Sequence, residues 1–139
     1  MAPKRFYVNT SVWRDFLEDR KAGWIPLGEL AFEFLKNCRK YNCQILVAEP
    51  VLFELKDFPS ERVSELFASF QAVILFVDVT KSQRLQAKEI AEKRNLPFND
   101  VFHAIIARDN SAILVSRDHH FTELTDIVEF KKPEEAIFE

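Results

Sequence analysis

Glycine is nearly absent from this chain, which holds 2 among 139 residues against 14 phenylalanines. That balance excludes a glycine-rich, low-complexity chain and points to a well-filled core joined by short, non-glycine connections. Long apolar runs are also missing. No segment approaches the ~20 apolar residues that span a bilayer, and the start, Met1-Ala2-Pro3-Lys4-Arg5, lacks the apolar stretch of a signal peptide. A cytoplasmic protein with no membrane partner is the expectation. A surplus of positive charge is absent as well: the net charge is −3, so no global basic field marks a passive nucleic-acid binder. An enzyme whose acidic metal site offsets a basic surface stays open. Cysteine is scarce, with only Cys38 and Cys43. Two cysteines with no nearby paired histidine make a poor zinc set, so they read as ordinary thiols, one of them buried on a helix; a disulfide is the minority reading. What remains is 47% apolar and 29% charged over 139 residues, which is one globular domain, residues 1–139, with a real core.

The apolar residues fall into alternating patterns. Arg5-Phe6-Tyr7-Val8 is a short β-type run, and Thr10 or Ser11 can cap a helix directly after it. That helix would turn Val12, Trp13, Phe16 and Leu17 inward and Arg14, Asp15, Glu18 and Asp19 outward. Leu27, Leu30, Ala31, Phe34, Leu35 and Cys38 give the clearest helical stripe. Gln44 to Ala48 is a nearly unbroken apolar strand of the kind covered on both faces. Pro50 suits a helix start, with Val51, Leu52, Leu55 and Phe58 on its buried side. A further helical stripe (Val63, Leu66, Phe67, Phe70) leads into a second buried strand, 72–77. Thr80-Lys81-Ser82-Gln83 is a capping box opening a helix toward Arg94, with Leu85, Ala87, Ile90 and Ala91 available for packing. A helix from about Asn99 to Asn110 precedes a third strand, 112–115, and Ile127 to Phe130 reads as an edge strand. The tail is expected to pack through Ile137 and Phe138. Strands alternating with helices throughout imply an α/β fold with a mainly parallel sheet.

In such sheets, sites form beyond the carboxyl ends of the strands. Asn9 follows the first strand, Asp118 follows the third strong strand, and Asp100 starts a helix facing the same rim. Each has an ordinary alternative: Asp100 favours a helix N-terminus, and Asp118 begins a turn. Glu54 borders the apolar face of its helix, where an unpaired carboxylate is costly. A salt bridge or a metal shared with Asp100 and Asp118 answers that cost. Hard cations take oxygen ligands, and Mg²⁺ commonly uses a few carboxylates plus waters. Glu49, just before Pro50, reads as a cap at the helix start.

Four segments together resemble the PIN-domain nucleases, including the toxin ribonucleases of type II toxin–antitoxin pairs. They are Phe6-Tyr7-Val8-Asn9-Thr10-Ser11-Val12-Trp13, Val47 to Leu55 around Glu54, Leu96 to Ala107 around Asp100, and Leu114-Val115-Ser116-Arg117-Asp118-His119-His120-Phe121. The resemblance covers nearly the whole chain. It implies a three-layer α/β/α fold, hydrolysis of RNA with Mg²⁺ or Mn²⁺, a small antitoxin partner and a homodimer. It carries Glu54, Asp100 and Asp118 over as catalytic and metal-binding residues, with position 9 as the fourth. Thr10, Ser11 and Ser116 would hold ligands or touch phosphate, and Arg14 and Arg117 would grip the RNA backbone.

The departure from the family is Asn9, where an aspartate normally precedes Thr-Ser. Its carbonyl oxygen can still meet a cation, but without charge. Four acids supply up to −4, whereas this set supplies −3, so a second divalent cation would bind less well. Three explanations stand: an active variant using one metal, a binding protein with little catalysis, or a change introduced so that a toxic nuclease could be produced. The histidines read as structural. His103 hydrogen-bonds within or beside the core, and His119 and His120 help start a short helix before Phe121. No His-x₃-His spacing supports zinc.

Overall fold

The computed structural model describes residues 3–136. Ile137 and Phe138, expected to pack the tail, lie outside the described residues. Five strands form one sheet: β1 (Arg5–Val8), β2 (Gln44–Ala48), β3 (Ile74–Val77), β4 (Ile113–Val115) and β5 (Phe130–Lys131). Their order across the sheet is β3-β2-β1-β4-β5, and every pairing is parallel. Among the described residues six helices flank it: α1 (Thr10–Leu17), α2 (Leu27–Lys40), α3 (Glu49–Glu54), α4 (Ser60–Ser69), α5 (Lys81–Arg94) and α6 (Phe98–Asp109). The expected fold class, an α/β/α arrangement around a parallel sheet, is what the chain adopts.

Parallel strands joined by helical crossovers are covered on both faces, which is why β1, β2 and β4 are apolar almost without alternation. Phe6 of β1 pairs in register with Ile45 of β2 and Ile113 of β4, and Tyr7 with Leu46 and Leu114. Phe6, Tyr7, Ile45, Leu46 and Leu114 are fully buried. Phe6 meets Phe34 of α2 edge-on at 5.3 Å, and Trp13 of α1 meets Phe67 of α4 edge-on at 5.1 Å. Each such pair adds roughly 1 kcal/mol beyond area burial. Cys38 and Cys43 are free and buried, as expected, and burial pushes the Cys38 thiol up.

Gly28 sets the approach of α2 to α1. A methyl group there would lie 2.8 Å from the Asp15 carbonyl oxygen. Only glycine permits that crossing, so the scarcity of glycine makes this one position specific.

Several local expectations are corrected. Asn9, rather than Thr10 or Ser11, caps α1. Strand β3 begins at Ile74, because Val73 still bonds back to the end of α4. The edge strand is Phe130–Lys131, because Ile127 and Val128 donate to the Leu124 carbonyl and close the preceding 3₁₀ segment, His119–Leu124. That segment contains Phe121 rather than preceding it. Leu52 and Leu85 are exposed, since α3 and α5 turn other residues (Val51, Ala87, Ala91) to the core. Asp15, expected outward, is buried.

Candidate metal centre

The strand order reverses between β1 and β4, so their connections leave in opposite directions and open a crevice beyond their carboxyl ends. The two strand ends are tied together there: the Asn9 N–H donates to the Val115 carbonyl at 2.9 Å. The Trp13 indole N–H donates to the Val8 carbonyl at 3.1 Å and fixes the turn into α1.

Asn9 Oδ1 accepts from the Ser11 N–H at 3.1 Å and from Ser116 Oγ at 3.2 Å. A carbonyl oxygen has two lone pairs, and both are in use. In this arrangement the Asn9 oxygen caps α1 and ties β1 to the β4 end. The Ser116 hydroxyl in turn accepts from the Asp118 N–H at 3.1 Å and stands 3.2 Å from Ser11 Oγ. Thr10 donates to Glu54 Oε1 at 3.1 Å. The three hydroxyl residues therefore position the rim through bonds within it.

Asp100 sits in the first turn of α6, and Asp118 caps the 3₁₀ segment by accepting from the His120 N–H at 2.9 Å. His120 Nδ1 lies 3.2 Å from Asp118 Oδ1 and 3.6 Å from Asp100 Oδ2. One donor atom from each of Asp100, Asp118 and His120 falls within 4.8 Å of the others. Burial raises the Asp100 carboxyl above its ordinary value, and the neighbouring Asp118 charge raises it further. His120 and His103 offset part of that rise, while Glu54 adds to it.

Glu54 behaves differently. Burial alone would raise its carboxyl, but the His103 and Thr10 hydrogen bonds, with the nearby Arg14 charge, hold it below the usual range. His103 is buried on α6; its Nε2 lies 2.6 Å from Glu54 Oε1 and its Nδ1 lies 2.7 Å from the Tyr7 hydroxyl.

Asn9, Thr10, Ser11, Arg14, Glu54, Asp100 and Asp118 line one open crevice of about 410 Å³, joined by Arg20, Phe53, Lys56 and Asp57. All four family positions are thus brought together. Arg14 is present but engaged: it donates to the Glu54 carbonyl at 2.8 Å and stands 3.7 Å from Asp57. Arg117 is placed elsewhere. It does not line the crevice; it pairs with Glu134 at 2.5 Å and with buried Asp15 at 3.5 Å. Sequence reasoning missed His120 and Tyr7. The spacing of His120, two residues after Asp118, was a usable signal. Tyr7 sits in an apolar strand, and nothing local marks it.

Two neighbouring carboxylates, Asp100 raised by the Asp118 charge, with an imidazole nitrogen beside them, form a donor set suited to a divalent cation. The residues present fit such an ion. Glu49, read as a cap, opens α3 and pairs with Arg84 at 2.9 Å.

A profile of the PIN domain matches residues 6–127. Among curated proteins, none matches the chain by sequence. Solved structures with a similar fold include VapBC2 from Rickettsia felis bound to a DNA fragment from their promoter, at TM-score 0.66 and 16% identity over 92% of this chain and 98% of that one. FitAcB from Neisseria gonorrhoeae superposes at TM-score 0.60 and 16% identity, over 92% and 97% of the two chains. PAE2754 from Pyrobaculum aerophilum does so at 0.55 and 13%, over 94% and 90%. At these identities the likeness speaks to the fold. With the profile spanning residues 6–127, the chain belongs to the PIN domain family.

Proposed function

We propose that this chain is a single-domain, metal-dependent endoribonuclease that hydrolyses RNA phosphodiester bonds with Mg²⁺ or Mn²⁺. The observation that supports it is the convergence of Asn9, Glu54, Asp100 and Asp118 on one crevice at the reversal of strand order. Asp100 and Asp118 would hold the ion, with His120 as a nitrogen donor. When bound, the ion would lower the pKa of a water and offset charge on the attacked phosphate. Glu54, kept ionised by its partners, would orient that water. Lys56 and Arg20 at the crevice, with Arg14, would supply the positive charge that receives a phosphate backbone. Ser11, Thr10 and Ser116 would hold the rim residues in place.

The toxin role, a small antitoxin partner and a homodimer are part of the same proposal. The fold of VapBC2 and FitAcB supports it. A cytoplasmic site of action is proposed with them; no described helix is long and apolar enough to cross a membrane.

Asn9 favours a second reading: a PIN-fold protein that binds RNA or a protein partner with little cleavage. An aspartate at position 9 would keep both cap bonds on one oxygen and offer the other to a cation. Asparagine presents an amide nitrogen instead. Cleavage of structured and unstructured RNA with Mn²⁺ separates the readings. The enzyme reading expects cleavage by the native chain, faster in Asn9→Asp and lost in Asp100→Asn. Failure of Asn9→Asp to cut any RNA would remove the enzyme reading. Mn²⁺ binding by calorimetry then decides the rest: tight binding lost on Asp118→Ala argues against a degenerate site.

A further inference from the structure

The proposed nuclease role makes no use of the buried pair behind Glu54. Tyr7 and His103 are 96 residues apart in sequence, and their side chains are 0% and 1% exposed. They meet at 2.7 Å, and His103 then reaches Glu54 Oε1 at 2.6 Å. We propose that Tyr7 and His103 are positioning residues that hold Glu54 by one oxygen, so that Glu54 presents only Oε2 to the reacting water.

Donor and acceptor rules fix the Glu54 end of this chain, and the proposal assigns the Tyr7 end. A carboxylate only accepts, so His103 Nε2 carries the proton that faces Glu54. The proposal takes the ring as the Nε2–H tautomer, whose Nδ1 lone pair accepts from the Tyr7 hydroxyl. Burial, followed by the Glu54 charge, pushes the Tyr7 phenol up, so it keeps its proton. Thr10 donates to the same Oε1 at 3.1 Å. Oε1 therefore accepts two hydrogen bonds, and Oε2 takes part in neither. Glu54 also lies outside the compact Asp100, Asp118 and His120 group. A carboxylate fixed on one side and free on the other, beside an ion site rather than in it, is built to orient water. A histidine relaying a partner's bond onto a site carboxylate sets the carboxylate's angle in the way outer partners orient metal ligands.

The role rests on the nuclease reading, so the test carries a readout that does not. Long-range ¹⁵N NMR of the imidazole in the native chain should show His103 protonated at Nε2 and bare at Nδ1. Tyr7→Phe should mix the two tautomers and shift the Glu54 carboxyl ¹³C signal. In cleavage assays Tyr7→Phe should lower kcat by roughly tenfold, with KM and Mn²⁺ affinity within about twofold. His103→Gln, which retains an N–H for Glu54, should keep more activity than His103→Leu. A proton on Nδ1 in the native chain overturns the proposal. So does an unchanged Glu54 signal in Tyr7→Phe, or equal loss in the Gln and Leu variants. If no form of the chain cuts RNA, the nuclease reading falls alone, and the tautomer and the Glu54 signal still decide the positioning.

Discussion

Two acidic clusters flank the short stretch from Ser116 to Asp118, and they balance charge in opposite ways. On one side Asp100 and Asp118 face each other, with the His120 imidazole between them. On the other, buried Asp15 lies 3.5 Å from Arg117 and 3.9 Å from Arg20, and Arg117 also binds Glu134 through both terminal nitrogens. Burial is the largest influence on both Asp100 and Asp15, and both carboxyls are raised. The neighbours differ. Arginines pull Asp15 back, whereas the next contribution to Asp100 comes from another carboxylate and lifts it further. A raised carboxyl alone therefore does not mark a functional site. The sign of its neighbours separates a clamp that supplies its own cations from the acidic pair proposed to hold one.

The sharpest way to break the contrast is Arg117→Leu. It strips Asp15 of its nearer cation and leaves Glu134 unpaired. Removal of one partner from a buried pair costs about 3 kcal/mol, and urea unfolding should show a loss of that order. An Arg117→Leu chain as stable as the native one, but weak in RNA binding, would restore this arginine to the RNA surface. Asp118→Asn should act in the opposite direction on the fold. It relieves repulsion on Asp100, so the metal-free chain should unfold at equal or slightly higher urea, by ~0.5 kcal/mol. Mn²⁺ affinity should fall by an order of magnitude or more, read by calorimetry on the same samples. Loss of stability with Mn²⁺ binding intact would make Asp118 a turn cap and nothing else. His120→Ala is milder. Imidazole suits transition metals better than Mg²⁺, so Mn²⁺ binding should weaken by a few-fold while Mg²⁺ binding holds.

The sequence carried one cluster more plainly than the other, for a physical reason. Asp100 and Asp118 lie at element ends, and strand–helix alternation alone aims those ends at one rim. Glu54 was legible because it interrupts an apolar helix face. Asp15 reads as outward because charges recur at 14, 15, 18 and 19. What buries it is Arg117, which follows β4 and lies 102 positions away, together with the close approach of α2 at Gly28. Arg117 looked like a phosphate contact for the same reason: its partners, Asp15 and Glu134, come from distant segments. The cap at Asn9 was missed through a local cause. The residue before Thr10 and Ser11 stands out in the sequence for its missing charge, yet its oxygen does what asparagine does well at a helix start.

The subtlest test turns on pH within the clamp. The folded Asp15 carboxyl lies above its ordinary value of 3.8, so its share of stability is fully present below that value and is lost as pH rises through the raised folded one. Glu134 runs the other way. Burial would raise it, but the Arg117 hydrogen bonds hold it below its ordinary 4.5, so its contribution is present above 4.5 and is lost as pH falls through the lowered value. Urea midpoints taken from neutral pH to about pH 3 should therefore diverge. The advantage of the native chain over Asp15→Asn should grow on acidification, and its advantage over Glu134→Gln should shrink. Parallel slopes would mean that Arg117 treats the two carboxylates alike, and that the buried position of Asp15 costs the fold nothing its arginines do not return.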